Sequence, residues 1–250
     1  MSQRGVMLGG VEMWTRGEVL GFDLETTGVD RFNDVPVSYS LVSVVDGVVR
    51  TSWSGLIDPG REIPPEATAV HGITTERARC EGMPLSLAVD LLCDAVVAAS
   101  TRGVPLGGMK LDYDLTLLDT QAKAFGAGGL VEQGWGGPEL DAVVLDRHFD
   151  PDRPGHRTLV DLCAHYGIEI VRAHDATADA IASVAVLFAL ALRWDELREG
   201  DPAVLHRSQI DWHREWTERH DEWRISNEMV PTDPRDYVWP VAPVALSRVA

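Results

Sequence analysis

The sequence predicts an α/β fold, a mixed sheet flanked by helices, and three observations carry that prediction. An apolar, turn-bounded run near the N-terminus reads as a buried strand. Two further strand-like runs meet at Asp46-Gly47, a dipeptide suited to a tight hairpin. After them, stretches of helical period alternate with short apolar runs, the order expected of a sheet covered by helices.

Taken in order, "EVLGFDLE" (Glu18 to Glu25) is the first strand, closed by "TTGVD" as a turn. "VPVSYSLVSVV" and "GVVRTSWSGLI" form the hairpin, and "DPGREIPPEATAVHGIT" is rich in turn formers. "LSLAVDLLCDAVVAAS" spaces Leu85, Val89, Leu92 and Val96 as one helix face. "VPLGGM" follows as a short strand, "DLTLLDTQAKAFG" as a helix, "LDAVVLD" as a strand, and "TLVDLCAHYG" as a short helix stopped by Gly167. The longest helix is expected from about Asp175 to Arg198.

Past Gly200 charges alternate and tryptophans recur at Trp212, Trp216 and Trp223, the first two on one helix face. Packing of this extension against the α/β body is favoured over stacking on nucleobases. With 250 residues, 45% of them hydrophobic, the chain can bury a sizeable core. The expected organisation is a leader over 1–16, a domain over 17–198 and a helical, Trp-rich extension over 199–250 packed on it. Met13 is an alternative start.

A net charge of -17 argues against gripping nucleic acid through a broad basic surface, but not against a small site where metal ions supply the positive charge. No apolar run approaches a membrane span, and no secretory signal is visible, so a soluble intracellular protein is expected. Cys80, Cys93 and Cys163 are odd in number and lack metal-ligand spacing, which predicts reduced, buried thiols. The segment Arg147 to Thr158 is locally basic; Arg153 and Arg157 read equally as backbone contacts for a nucleic acid and as a solvated loop.

On a strand, Asp23 and Glu25 project from one face because side chains alternate with period two. Adjacent anions repel, and oxygen ligands of this kind suit a hard divalent cation. Alone, such a pair also fits an exposed strand end. "MKLDYDLTLLD" adds Asp112 and Asp114 just before a helix, and "RAHDATADAIA" adds His174, Asp175 and Asp179 at the start of the longest one. On one helix, His174 and Asp179 would be separated by roughly 140°. They converge only if His174 lies on the entering loop, with Asp175 or Thr177 as N-cap. Taken singly, His174 and His71 read more readily as structural or surface histidines.

The ordered set "FDLETTG", "AVHGIT", "YDLTLL" and "HDATADA" resembles the DEDDh or DnaQ-like 3′-to-5′ exonucleases, which include proofreading subunits of replicative polymerases. The resemblance covers about Gly17 to Leu190; the tail, with "LHRSQIDW" and a late "WP", is similar to actinobacterial and phage forms. It implies a ribonuclease H-like sheet and two divalent ions, Mg²⁺ or Mn²⁺. Their ligands are Asp23, Glu25, Asp114 and Asp179, with His174 as general base. Thr26, Thr27 and Gly28 are then the turn against which the terminal nucleotide lies, and Val70, His71 and Ile73 pack against or between the last bases. Tyr113 holds the aromatic position before Asp114. Lys110 stands where the family usually has asparagine, and can meet a phosphate instead.

The implied substrate is a single-stranded or frayed DNA 3′ end, hydrolysed to nucleoside monophosphates. RNA trimming is the alternative within nucleases, and a non-catalytic adaptor docked to a DNA polymerase or other replication protein is the alternative outside them. The same resemblance implies a bacterial or phage-encoded cytoplasmic protein that meets no membrane.

Overall fold

The computed structural model describes residues 13–170 and 175–244. β1 (Glu18–Thr26), β2 (Pro36–Val45) and β3 (Val48–Asp58) form an antiparallel meander. Asp46 and Gly47 both take positive φ, 52° and 72°, the backbone that a two-residue hairpin turn needs. β4 (Met83–Pro84), β5 (Leu106–Gly108) and β6 (Glu139–Asp141) add parallel pairings, giving one sheet in the order β4-β3-β2-β1-β5-β6.

Helices cover both faces. α3 (Leu85–Thr101) and α4 (Leu111–Ala124) bury Leu92, Val96, Leu115 and Leu118 against Phe22, Leu41 and Leu106. On the opposite face α5 (Ala142–Phe149), α6 (Leu159–Tyr166) and α7 (Ala176–Arg193) pack Leu145, Leu162, Val184 and Leu187 against Val19, Val42 and Leu140. Gly21 of β1 and Gly107 of β5 let α7 settle close to the sheet. A Cβ at Gly21 would lie 3.0 Å from Val184 Cγ2, and one at Gly107 3.0 Å from Leu187 Cδ1. That approach brings the first turn of α7 beside the end of β1.

Several elements depart from the sequence expectation. The stretch read as turns holds α1 (Pro65–His71), and α2 (Thr75–Glu81) follows. Pro65 opens α1 where its missing N–H costs nothing, left-handed Gly72 closes it, and Thr74 Oγ1 caps α2 by accepting from Arg77 N. Of "LDAVVLD" only the start belongs to a strand. Asp141 accepts from Val143 N and Val144 N, capping α5, so the apolar run that follows is buried as a helix. The helix expected from about Asp175 to Arg198 breaks at Trp194, after which α8 (Asp195–Glu199) begins, and the longest helix among the described residues is instead the one over Pro202–Ser226. Asp112 and Asp114 lie inside the first turn of α4 rather than before it. Cys80 is exposed, whereas Cys93 and Cys163 are buried.

By length and composition alone α7 could cross a membrane, contrary to expectation. Its Val184, Val186, Leu187 and Leu190 are instead buried in the protein core.

Beyond Gly200, α9 (Pro202–Ser226) packs along the sheet edge at β6 and against α5, and a short 3-10 helix (Pro234–Tyr237) packs on α9. Fully buried Gln209 acts as a substitute for a missing neighbour strand of β6: its Nε2 donates to Glu139 O at 2.8 Å and its Oε1 accepts from Asp141 N at 2.8 Å. Trp212 stacks on His148 at 3.7 Å between ring centroids, and Trp216 lies 3.2 Å beneath the Arg147 guanidinium. Trp223 is 53% exposed. At the other end of the chain Trp14 is buried, and its Nε1 donates to Leu197 O.

Replacing Gln209 by Leu leaves a buried N–H and a buried C=O of β6 without partners. The expected loss is about 2–4 kcal/mol, read as a lower urea midpoint at unchanged slope. An unchanged midpoint would show that β6 does not depend on this side chain.

Candidate active site

Asp23 and Glu25 project from the end of β1, where the strand has passed beyond its parallel pairing with β5 at Leu20 and Gly21. The backbone thus freed is taken by a side chain: Leu24 N donates to Asp114 Oδ1 at 3.1 Å. Asp179 reaches the same place from the first turn of α7, which Asp175 caps by accepting from Thr177 N and Ala178 N. One oxygen each of Asp23, Glu25 and Asp179 lies within 4.8 Å of the other two. Asp114 stands just outside this cluster, yet it is the largest electrostatic neighbour of Asp23. Asp112 turns instead to Arg31 at 2.8 Å, which separates the roles of the two aspartates.

Burial and crowding dominate the electrostatics. Desolvation first, then the Asp114, Glu25 and Asp179 carboxylates, push Asp23 well above the usual carboxylate range. Burial followed by Asp179 raises Glu25 from 4.5 to about 7. Asp114 is raised by burial and by Asp112. Convergent, desolvated carboxylate oxygens fit a hard divalent cation, which would convert their mutual repulsion into attraction.

Three cavities open on this centre. The largest, about 560 Å³, runs from Glu25 past Thr26, Thr27, Gly28 and Val29 to the α1 residues Val70 and His71. Its turn is rigid: Thr26 Oγ1 and Tyr113 Oη both donate to Gly28 O at 2.7 Å, and Thr27 Oγ1 donates to Asp34 Oδ1 at 2.7 Å. Across His71 lies a cavity of about 230 Å³ lined by Ser38, Tyr39, Ile73, Arg77 and Asp175. The third, about 260 Å³, joins Asp23 and Asp179 to Lys110, Thr158, Val160 and Ile170.

Of the predicted site residues, Asp23, Glu25, Asp114 and Asp179 come together, and Thr26, Thr27, Gly28, Val70 and His71 line the adjoining space. Tyr113 buttresses the turn with its hydroxyl. Ile73 is largely buried against Val37, Ile63 and Ala67. Lys110 holds the left-handed region at φ 57°, unusual for a lysine, with its side chain on the third cavity. His174 lies outside the described residues.

Arg153 and Arg157 are not poised for a strand. Both bind the fully buried Asp146, at 3.1 Å and 2.6 Å, and Tyr166 Oη donates to the same carboxylate. Sequence reasoning missed this network and also Arg31; the partners of Arg31 are 81 and 205 residues away along the chain.

Because the folded chain holds a proton on Glu25 up to about 7 while an unfolded one releases it near 4.5, metal-free stability falls as pH rises through that window. Urea midpoints in EDTA are expected to be lower at pH 8 than at pH 5. Asp23→Asn removes one like charge at constant shape, so it should narrow that difference while abolishing Mn²⁺ binding by calorimetry. A variant that still bound Mn²⁺ normally would exclude Asp23 as a ligand.

No protein-family model matches the sequence. The chain is similar to DNA polymerase III PolC-type of Latilactobacillus sakei, 28% identical over 176 residues, which span 69% of this chain and 11% of that protein. It is also similar to an uncharacterised exonuclease, CP81, of Escherichia phage 186, 27% identical over 190 residues, 71% of this chain and 90% of that protein. The chain thus matches only about a tenth of the length of the PolC-type relative. Among solved structures, Escherichia coli exonuclease I in complex with a dA16 oligonucleotide superposes with a TM-score of 0.61 at 19% identity, over 79% of this chain and 44% of that one. That likeness speaks for the fold, which is ribonuclease H-like as the motif order implied. Relatives that carry polymerase III and exonuclease names, together with this fold around an acidic cluster, support the resemblance of the chain to the DnaQ-like exonucleases.

Proposed function

We propose that this chain is a metal-dependent 3′-to-5′ exonuclease that removes nucleoside monophosphates from single-stranded or frayed DNA. The observation that carries the reading is the convergence of Asp23, Glu25 and Asp179 within 4.8 Å, with Asp114 anchored beside them on Leu24 N. Phosphodiester hydrolysis is slow because the anionic phosphate repels a nucleophile and the alkoxide leaves poorly. Two Mg²⁺ or Mn²⁺ ions held by Asp23, Glu25, Asp179 and Asp114 would supply Lewis acidity to both the attacking and the departing oxygen.

The chain's own residues do the rest. The Thr26 to Gly28 turn, locked by Tyr113 and Asp34, offers a rigid floor for the terminal nucleotide in the largest cavity. Val70 and His71 form the opposite wall, against which an unpaired base can pack; a paired one would carry its partner strand into α1. Lys110, on the cavity shared with Asp23 and Asp179, meets a backbone phosphate. Asparagine accepts the left-handed backbone at this position more cheaply than lysine, which is consistent with a side-chain role for the lysine. His174, in the segment entering α7, takes the proton of the attacking water; imidazole titrates near neutrality, as a general base should.

DNA is favoured over RNA by the polymerase and exonuclease I relatives, the latter bound to a DNA oligonucleotide in its own structure. A cytoplasmic setting and a replicative polymerase as partner belong to the same reading, supported by the bacterial PolC-type and phage relatives. The adaptor reading is weaker, because a docking module needs no buried carboxylate cluster.

With Mg²⁺ or Mn²⁺, 5′-labelled single-stranded DNA should shorten stepwise from its 3′ end, and EDTA or Asp23→Ala should stop it. An RNA of the same sequence run beside it assigns the sugar. No shortening of either polymer would favour the adaptor. His174→Ala should lower kcat by about 10²- to 10⁴-fold with Mn²⁺ binding retained, and near-normal turnover would remove His174 from the mechanism. Lys110→Ala should raise KM and reduce its salt slope by about one; an unchanged slope would place Lys110 off the strand.

A further inference from the structure

Four consecutive residues at the start of α4 are each held from a different direction. Leu111 N donates to Asp141 Oδ2 at 2.8 Å, and Asp112 accepts from Arg31 Nη1 at 2.8 Å. Tyr113 Oη donates to Gly28 O, and Asp114 accepts from Leu24 N. Such over-determination suits a helix that begins on a left-handed lysine, since a strained start persists only when its surroundings enforce it.

Two of these four anchors are themselves held by the C-terminal segment. Gln209 binds the backbone of Asp141, whose side chain receives Leu111 N. Asp236, on the 3-10 helix, pairs with Nη2 of Arg31, so that the guanidinium spans Asp236 and Asp112. His213 of α9 bonds Asp236 O at 2.8 Å and ties the 3-10 helix to α9. Further along, Ala242 N donates to Thr116 Oγ1 on α4 itself.

We infer that the C-terminal segment is part of the active centre: through Asp236 and Arg31 it grips the first turn of α4 and so sets the place of Asp114. Arg31 is a positioning residue. It is 8% exposed, lies in the loop that continues the Thr26 to Gly28 turn, and points toward Asp112 rather than into the cavities around the carboxylates. Its fork joins the β1 turn, the α4 helix and the C-terminal segment, a task for which one ammonium is a poor replacement. It also balances the charge of Asp112, which would otherwise stand unpaired close to Asp114. Asp236 is half-exposed, so its ion pair adds little to global stability, and its effect should appear at the site instead.

This inference rests on the nuclease reading for its activity readout but not for its metal readout. The test compares wild type, Arg31→Lys and Asp236→Ala by Mn²⁺ binding, kcat and KM on single-stranded DNA, and thermal unfolding. Mn²⁺ affinity at the site that Asp114 supports should fall about 10-fold in Arg31→Lys and less in Asp236→Ala, and kcat should fall with it. The Mn²⁺ site of Asp23, Glu25 and Asp179 should be unchanged, KM should stay within about two-fold, and in Asp236→Ala, whose pair is half-exposed, Tm should move by no more than about 2 °C. Unchanged Mn²⁺ affinities in both variants would overturn the inference, as would a loss seen equally at both sites together with a large drop in Tm. A wild type that binds Mn²⁺ but cleaves no nucleic acid would count against the nuclease reading alone, because the Mn²⁺ affinities still report on the clamp.

Discussion

Repulsion among carboxylates at the end of β1 is the constraint around which the molecule is built. Asp23, Glu25 and Asp179 face one another at short range, with Asp114 adjoining, and burial deprives them of the water that would screen them. Such an arrangement persists only where the scaffold leaves the side chains nowhere else to go. Gly21 and Gly107 let α7 press close to the sheet and carry Asp179 in, while Leu24 N draws Asp114 toward the strand. A divalent cation bound there would turn the same crowding into attraction.

The remaining architecture maintains that crowding. The sheet is thin on the site's far edge, where β6 has only the short span Glu139–Asp141, and Gln209 supplies the hydrogen bonds of an absent neighbour strand. The C-terminal segment therefore closes the fold as well as gripping α4. A chain of net charge -17 cannot draw a nucleic acid by a broad field, so attraction must be local. Under the proposed nuclease function, Lys110 beside Asp23 and Asp179 and Arg77 on the cavity across His71 would be such local charges, together with bound cations.

Much of this was legible in the sequence where the signal was local. The hairpin followed from Asp46-Gly47, the face shared by Asp23 and Glu25 from strand alternation, and the convergence of the later motifs from the family resemblance that the ordered set carries. Asp175 proved to be the N-cap that lets α7 begin where Asp179 is needed. Local competition misled elsewhere: proline and glycine around α1 read as turns although they are its start and stop, and the valines after Asp141 read as a strand although its carboxylate caps a helix. What stayed invisible was long-range pairing. Nothing near Arg153 and Arg157 announces that Asp146 will bind both, and nothing near Arg31 points to Asp236.

The most direct measurement is anomalous diffraction from crystals grown with Mn²⁺ at pH 8, above the pH at which Glu25 titrates. The two-ion reading predicts one peak touched by Asp23, Glu25 and Asp179 and a second between Asp23 and Asp114. Density for Mn²⁺ only on surface carboxylates, with none at the end of β1, would contradict it.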